Sequence, residues 1–267
     1  MMTRDMLEAE EVMALQMSGM PVAEIMKTHR TQFDRMYSDN TELKEHLEIA
    51  NDTIARQEAM GIVSISCQEI RFPKRLLVID NDCPAMIHCK GNLGLLGSEK
   101  AVAIIGARSA DSAGYDKAYS LGKQYAGDGY VVVSGLALGC DSAAHRGCLD
   151  ADGGTIAVVG SGLDICHPKE NRPLEERILA SNGLLISEWK IRVKANPTRL
   201  VARNRLQAAM SDAVILAQCP IKSGSLHTMR FARQYGKKCL AATFANQTDS
   251  NAGNYMLLDS RLAMPVN

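Results

Sequence analysis

The chain reads as a doubly wound α/β fold with a mostly parallel sheet, preceded by a small helical domain. Three observations predict it. From residue 101 onward, short β-rich runs alternate with helix-length segments of mixed polarity, and that alternation demands crossover connections between parallel strands. Most runs end in Gly, Ser or another small residue, as strands do when a helix must start close above them. The first sixty residues show helical spacing of apolar side chains instead.

In chain order, Val12, Met13, Leu15 and Met17 and then Val22, Ile25 and Met26 recur at helical spacing, with Gly19-Met20-Pro21 as a break between them. A second, charged helix is expected from about Glu42 to Met60. The segment near residues 31–36 is too short and too unspecific in pattern for the recognition helix of a helix-turn-helix DNA reader. We therefore place a helical packing domain at residues 1–65 and the α/β domain at residues 66–267. Strands are expected at residues 102–105, 130–133, 155–159, 183–186, 213–217 and 238–242. The ligand site of such a sheet lies at the carboxyl ends of its strands, where strand order reverses.

Composition narrows the classes. The longest apolar runs fall far short of the ~20 residues of a bilayer span, and the acidic N-terminus does not suit a signal peptide, so a cytoplasmic protein is expected. Eight cysteines are scattered without a C-x-x-C pair, which predicts reduced packing residues, and no metal site or cofactor is expected. The net charge is zero, yet residues 1–60 hold twelve acids against six bases, whereas residues 190–238 hold eleven bases against Asp212 alone. A ligand phosphate responds to the local potential and not to the total, so the second segment suits a polyanion.

Four strand ends carry residues fit for anions: Gly106-Ala107-Arg108-Ser109, Ser134–Gly139, Gly160-Ser161-Gly162, and the loop from Lys222 through Ser223, Gly224 and Ser225 to Thr228. Glycine lets a backbone approach a ligand, arginine offers a planar fork to phosphate, and helix N-termini aim N–H groups at it. The second loop lacks G-x-G-x-x-G, because Gly135 and Gly139 stand four apart and no acid follows at a strand end, so a dinucleotide is disfavoured. No nucleophile, base and orienting acid can be assigned by spacing, and His145 reads as a core residue. The chain is not expected to be an enzyme.

Taken together, Phe72–Asn92, Ala101–Arg108, Ser134–His145, Gly160–Asn171, the Arg203-Asn204-Arg205 triplet with the residues to Ser211, Ser223–Thr228 and Gly253–Leu258 resemble the motifs of the DNA-processing protein A (DprA/Smf) family over roughly residues 10–260. The resemblance implies a Rossmann-like fold and a single-stranded-DNA binder, commonly a homodimer, that passes DNA to a RecA-type recombinase during transformation. It carries over Arg108, Ser134, Gly135, Arg203, Asn204, Ser223, Gly224 and Ser225 as binding positions. Lys222 and Arg205 join them on charge and position.

The chain departs from the family at Leu200 and Val201, where Phe-Pro is common, at Leu138, where Arg is common, and at Ala107, where Ser is common. A stacking platform is thereby missing; Trp189, Phe231 and Tyr235 are the alternatives to it, against a plain reading as core. No winged-helix domain is expected after Asn267. A second reading, a nucleotide or small-ligand protein of the same broad superfamily from a bacterial or phage conflict system, stands beside the DNA-binding one.

Overall fold

The computed structural model describes residues 5–267. Four helices open the chain, α1 (Ala9–Met17), α2 (Val22–Ile25), α3 (Arg30–Asp39) and α4 (Thr41–Ala59). The charged helix expected from 42 to 60 is α4, started by Asn40, whose side chain accepts from the Leu43 amide. Then follow β1 (Ile62–Ser66), α5 (Lys74–Leu77), β2 (Met86–Gly91), β3 (Ala101–Ile105), α6 (Ser112–Gly127), β4 (Val131–Ser134), α7 (Cys140–Leu149) and β5 (Thr155–Val159). The rest is α8 (Arg172–Ala180), β6 (Leu184–Ser187), α9 (Pro197–Ala202), α10 (Asn204–Ala209), β7 (Ala213–Leu216), α11 (Ser225–Gln234), β8 (Lys238–Ala242), α12 (Ala252–Asp259) and β9 (Met264–Val266).

The nine strands form one sheet in the order β1-β2-β6-β5-β4-β3-β7-β8-β9. β3 to β9 pair in parallel, while β1 with β2 and β2 with β6 pair antiparallel. The six strands expected from β-rich runs are β3 to β8. The chain winds from β3 outward to β6, returns to β7 on the other side of β3, and winds on to β9. Strand order therefore reverses between β3 and β7, and that is where the crevice opens.

Alternation along each strand divides the core. Ala101, Ala103 and Ile105 of β3 join Val131, Val133, Val214 and Leu216 on one face, while Val102 and Ile104 join Val132 and Ile215 on the other. The first face is covered by the N-terminal helices together with α10 and α11, the second by α6 and α7. A boundary at residue 65 falls inside β1, and Val12, Leu15, Ala50 and Ile54 of the opening helices share one apolar cluster with Ile65 and Ile87. The helical segment and the sheet are thus bound by a common core as well as by the chain.

A buried polar network reinforces that join. Gln57 of α4 donates to Ser64 Oγ at 2.7 Å, meets His88 Nδ1 at 3.0 Å, and accepts from the Ile191 amide at 3.1 Å. All eight cysteines are buried. Among the described residues, no helix is long and apolar enough to cross a membrane.

Two outcomes follow from the packing. The closest approach of α6 and α7 needs glycines, because a Cβ at Gly122 would run into the Ala144 carbonyl, whereas Gly127 faces open space. Gly122→Ala is expected to cost about 1–3 kcal/mol in urea unfolding, and Gly127→Ala to be neutral or stabilising by up to about 1 kcal/mol.

Burial, helped by the charge of Lys190, pushes His88 down to about 4, and burial, helped by Arg203, pushes His145 to about 3. Below about pH 6.5 unfolded histidines take up protons that the folded chain refuses, so this stability is full above that pH and is lost as pH falls from 6.5 toward 4. Urea midpoints measured through that window should fall, and His88→Gln should flatten the fall by about one proton's worth.

A crevice at the reversal of strand order

The loops after β3 and β7 face each other across a cavity of about 470 Å³, with α9 and α10 forming its third wall. Gly106, Ala107, Arg108 and Ser109 line one side, and Pro220, Lys222, Ser223, Gly224 and Ser225 the other. The two loops are tied together: Ser225 Oγ donates to the Gly106 carbonyl at 2.6 Å, and the Ala107 amide donates to the Gln218 carbonyl at 2.7 Å. Gly106 packs against Cys140 and the Gln218 carbonyl, leaving no room for a Cβ. Arg108 and Lys222 are exposed on the rim, and neither pairs with a described carboxylate. The first amides of α11 are taken up within the turn, Ser225 by Ser223 Oγ, Leu226 by the Ser223 carbonyl and His227 by the Gly224 carbonyl, whereas those of residues 222–224 donate to no described residue.

The floor is built differently. Arg203 is 5% exposed, and its Nη2 lies 3.7 Å from Asp141 Oδ2 at the start of α7. Its Nε and Nη1 have no partner among the described residues. Burial presses the guanidinium down from its usual range while Asp141 holds it up, and burial in turn raises Asp141 against the pull of Arg203. The guanidinium lies over Gly135, where any Cβ would collide with it. Asn204 donates weakly to the Gly224 carbonyl at 3.3 Å. Gln207, one helical turn beyond Arg203 and also on the floor, has an unpartnered buried Nε2.

Of the ten expected positions, Arg108, Arg203, Asn204, Lys222, Ser223, Gly224 and Ser225 come together at the crevice. Ser134 and Gly135 lie beneath it: Ser134 Oγ donates to the Ile104 carbonyl at 2.7 Å, and Gly135 is covered by Arg203. Arg205 is a correction. It does not line the crevice, since its Nη1 reaches Glu188 at 2.8 Å and its Nε the Asp82 carbonyl at 2.8 Å. It staples α10 to the segment before β2.

The four strand ends likewise separate. The turn after β4 is overlaid by Arg203 and by Asn171, which donates to the Leu136 carbonyl at 2.8 Å. The Gly160-Ser161-Gly162 loop is filled by protein, with Leu200 against Gly160 and the Val193 carbonyl accepting from the Gly162 amide at 2.8 Å. Of these four loops, those after β3 and β7 line the cavity with exposed cations that pair with no described carboxylate.

Sequence reasoning did not pick out Gln207; the four-residue step from Arg203 was its signal. Leu200 and Val201 do line the crevice, as an apolar wall. Phe231 and Tyr235, half-buried against the core, stack on each other at 6.0 Å, and Tyr235 donates to Asp82 at 2.6 Å, and neither lines the crevice. Trp189 lies under Arg199, 5.0 Å from guanidinium to ring centroid.

This architecture has known counterparts. The DNA processing protein DprA of Streptococcus pneumoniae is 39% identical over 162 residues, 60% of this chain and 56% of its own length. That of Bacillus subtilis is 31% identical over 186 residues, 70% of this chain and 61% of its own. Protein Smf of Synechocystis is 38% identical over 172 residues, 62% and 42% respectively. The chain thus spans about two-fifths to three-fifths of the length of these curated relatives.

Among solved structures, the X-ray structure of S. pneumoniae DprA superposes with a TM-score of 0.81 at 27% identity, covering 98% of this chain and 95% of that one. The Helicobacter pylori protein, solved for its single-stranded-DNA binding mode, gives 0.69 at 31% identity, covering 76% and 90%. A family model described as DNA recombination-mediator protein A matches residues 64–267, the whole sheet from within β1 to β9, and the chain belongs to that family.

Proposed function

We propose that the chain binds single-stranded DNA in the crevice between β3 and β7, as a binding and not a catalytic protein. The observation that carries this reading is the pairing of two exposed rim cations without described protein counterions, Arg108 and Lys222, with the loop amides of residues 222–224, which donate to no described residue. A polyanion supplies the missing counter-charge, and a flexible single strand can enter a space that a rigid duplex cannot. The apolar wall of Leu200, Val201 and Pro197 takes sugar and base faces without reading their edges.

A DNA processing or recombination role accords with the relatives and with the family. We extend the reading to a cytosolic homodimer that hands its strand to a RecA-type recombinase, since two crevices on one strand raise affinity by avidity alone. Arguing for binding without turnover, His145 is buried, its Nδ1 tied to Thr155 at 2.7 Å and its basicity suppressed.

The rim and the floor should respond differently to substitution. Arg108→Ala removes an exposed cation, so it should weaken oligo-dT binding by about three- to tenfold with little change in stability. Arg203→Ala strands the buried Asp141, and its first effect should be a loss of stability of about 3–5 kcal/mol. Fluorescence anisotropy and urea unfolding of both variants check this; an Arg108→Ala protein that binds like its parent overturns the crevice assignment.

The salt dependence should be shallow for a ligand confined to the crevice. Arg203 is neutralised by Asp141 and Arg205 by Glu188, leaving Arg108 and Lys222 to displace counterions. A short single strand confined to the crevice should therefore show a log–log slope of about −1.4, two contacts at about −0.7 each. Mononucleotides that compete fully with long oligo-dT would favour the small-ligand reading instead.

A further inference from the structure

Beyond the crevice, the segment from Trp189 to Arg199 shares the wall of the site without any function assigned to it above. It begins at the end of β6 and runs into α9, whose Pro197, Leu200 and Val201 line the crevice. Its backbone is held at several points. The Trp189 amide donates to Ser187 Oγ at 3.0 Å, the Ile191 amide to Gln57, the Arg192 amide to the Asp164 carboxylate at 2.9 and 3.0 Å, and the Arg199 amide to Asn196 Oδ1 at 2.8 Å. Arg192 is fixed with a φ of +68°, a conformation that costs a non-glycine residue free energy and persists only when its surroundings impose it.

This loop presents three cations, Arg192, Lys194 and Arg199, none of them paired with a described carboxylate, while Lys190 turns back against Met17 of α1. Elsewhere many arginines do find partners: Arg75 with Asp212, Arg177 with Asp150, and Arg205 with Glu188. The contrast argues against a generally solvated basic surface.

Arg199 adds a second feature. Its guanidinium lies over the Trp189 ring at 5.0 Å, and its Nη1 donates to the Lys194 carbonyl at 2.9 Å, which limits its rotation. The indole N–H is turned inward and buried. A guanidinium plane backed by an aromatic ring offers a stacking face to any nucleobase, with a positive charge beside it for the phosphate.

Resting on the crevice reading, we infer that single-stranded DNA leaving the crevice crosses the 189–199 loop, where a base stacks on the Arg199–Trp189 pair and Arg192 and Lys194 hold flanking phosphates. The pair supplies the stacking surface that Leu200 and Val201 do not. Short ligands fill the crevice alone, and longer strands engage both parts.

The test uses the full chain, with a labelled dinucleotide and an oligo-dT of about twelve nucleotides as probes, a length within the range of known single-strand sites. Arg199→Gln should weaken the long strand by about five- to tenfold and leave the dinucleotide unchanged. Arg192→Ala with Lys194→Ala should reduce the salt slope of the long strand by about 1.4 and leave the affinity for the dinucleotide unchanged. Trp189 is the only tryptophan, so its emission should change on adding the long strand and not on adding the dinucleotide. Trp189→Phe should retain most of the affinity, which separates stacking from a loss of folding.

If the long strand binds by anisotropy while the Arg199 variant matches its parent and Trp189 emission stays fixed, the loop is not on the path and the crevice reading stands. If neither probe binds, both fail.

Discussion

The buried contact between Arg203 and Asp141 is the constraint on which the crevice depends. It brings α10 down onto the start of α7 and covers the turn after β4, which only a glycine at 135 permits. With that turn filled, the cavity is lined by the loops after β3 and β7, at the reversal of strand order. The same pair cancels a positive charge on the floor, so the ligand's counter-charge resides on the rim. A buried pair of this kind contributes little net stability, but removing one member leaves the other uncompensated in a dry site. Its value here is positional: it determines which backbone groups face the cavity.

The parallel sheet was legible because its strands are short, mostly apolar and bounded by small residues, as strands buried on both faces tend to be. β1, β2 and β9 were not. β2 carries His88 and Lys90 within its span, and β9 is three residues including Pro265 at an exposed edge. Such segments owe their conformation to a neighbouring strand and carry little pattern of their own. The helical spacing near the N-terminus was correct, but periodicity identifies a buried stripe without naming what buries it, and the stripe proved to pack on the sheet.

The site was legible by residue type and less so by role. Arginines at 203 and 205 look equivalent in sequence, two steps apart in a basic stretch. They point to different sides of a short helix, one to Asp141 under the crevice and one to Glu188 and Asp82 behind it. The carboxylates that neutralise them are 62 and 17 residues away in sequence, outside any local window. A count of local charge therefore overstates what a ligand meets. The glycine loops show the same difficulty: those after β4 and β5 have the composition of phosphate-binding turns, yet Arg203, Asn171 and Leu200 occupy the space above them.

Charge pairing then resolves how a chain of zero net charge can suit a polyanion. Many of the acids lie in the opening helices, on the β1 side of the sheet, and several of those elsewhere are spent on particular arginines: Asp212 on Arg75, Glu188 on Arg205, Asp150 on Arg177. What remains uncompensated around the crevice is a short set, Arg108, Lys222 and the cations of the loop before α9. Counterions screen charges more than about 10 Å apart at moderate salt, so only nearby acids offset these cations, and the loop before α9 touches the opening helices through Lys190 and Ile191. The potential that an anionic ligand would meet is set by the unpaired groups within that distance, and the fold places Arg108 and Lys222 where the strand order turns.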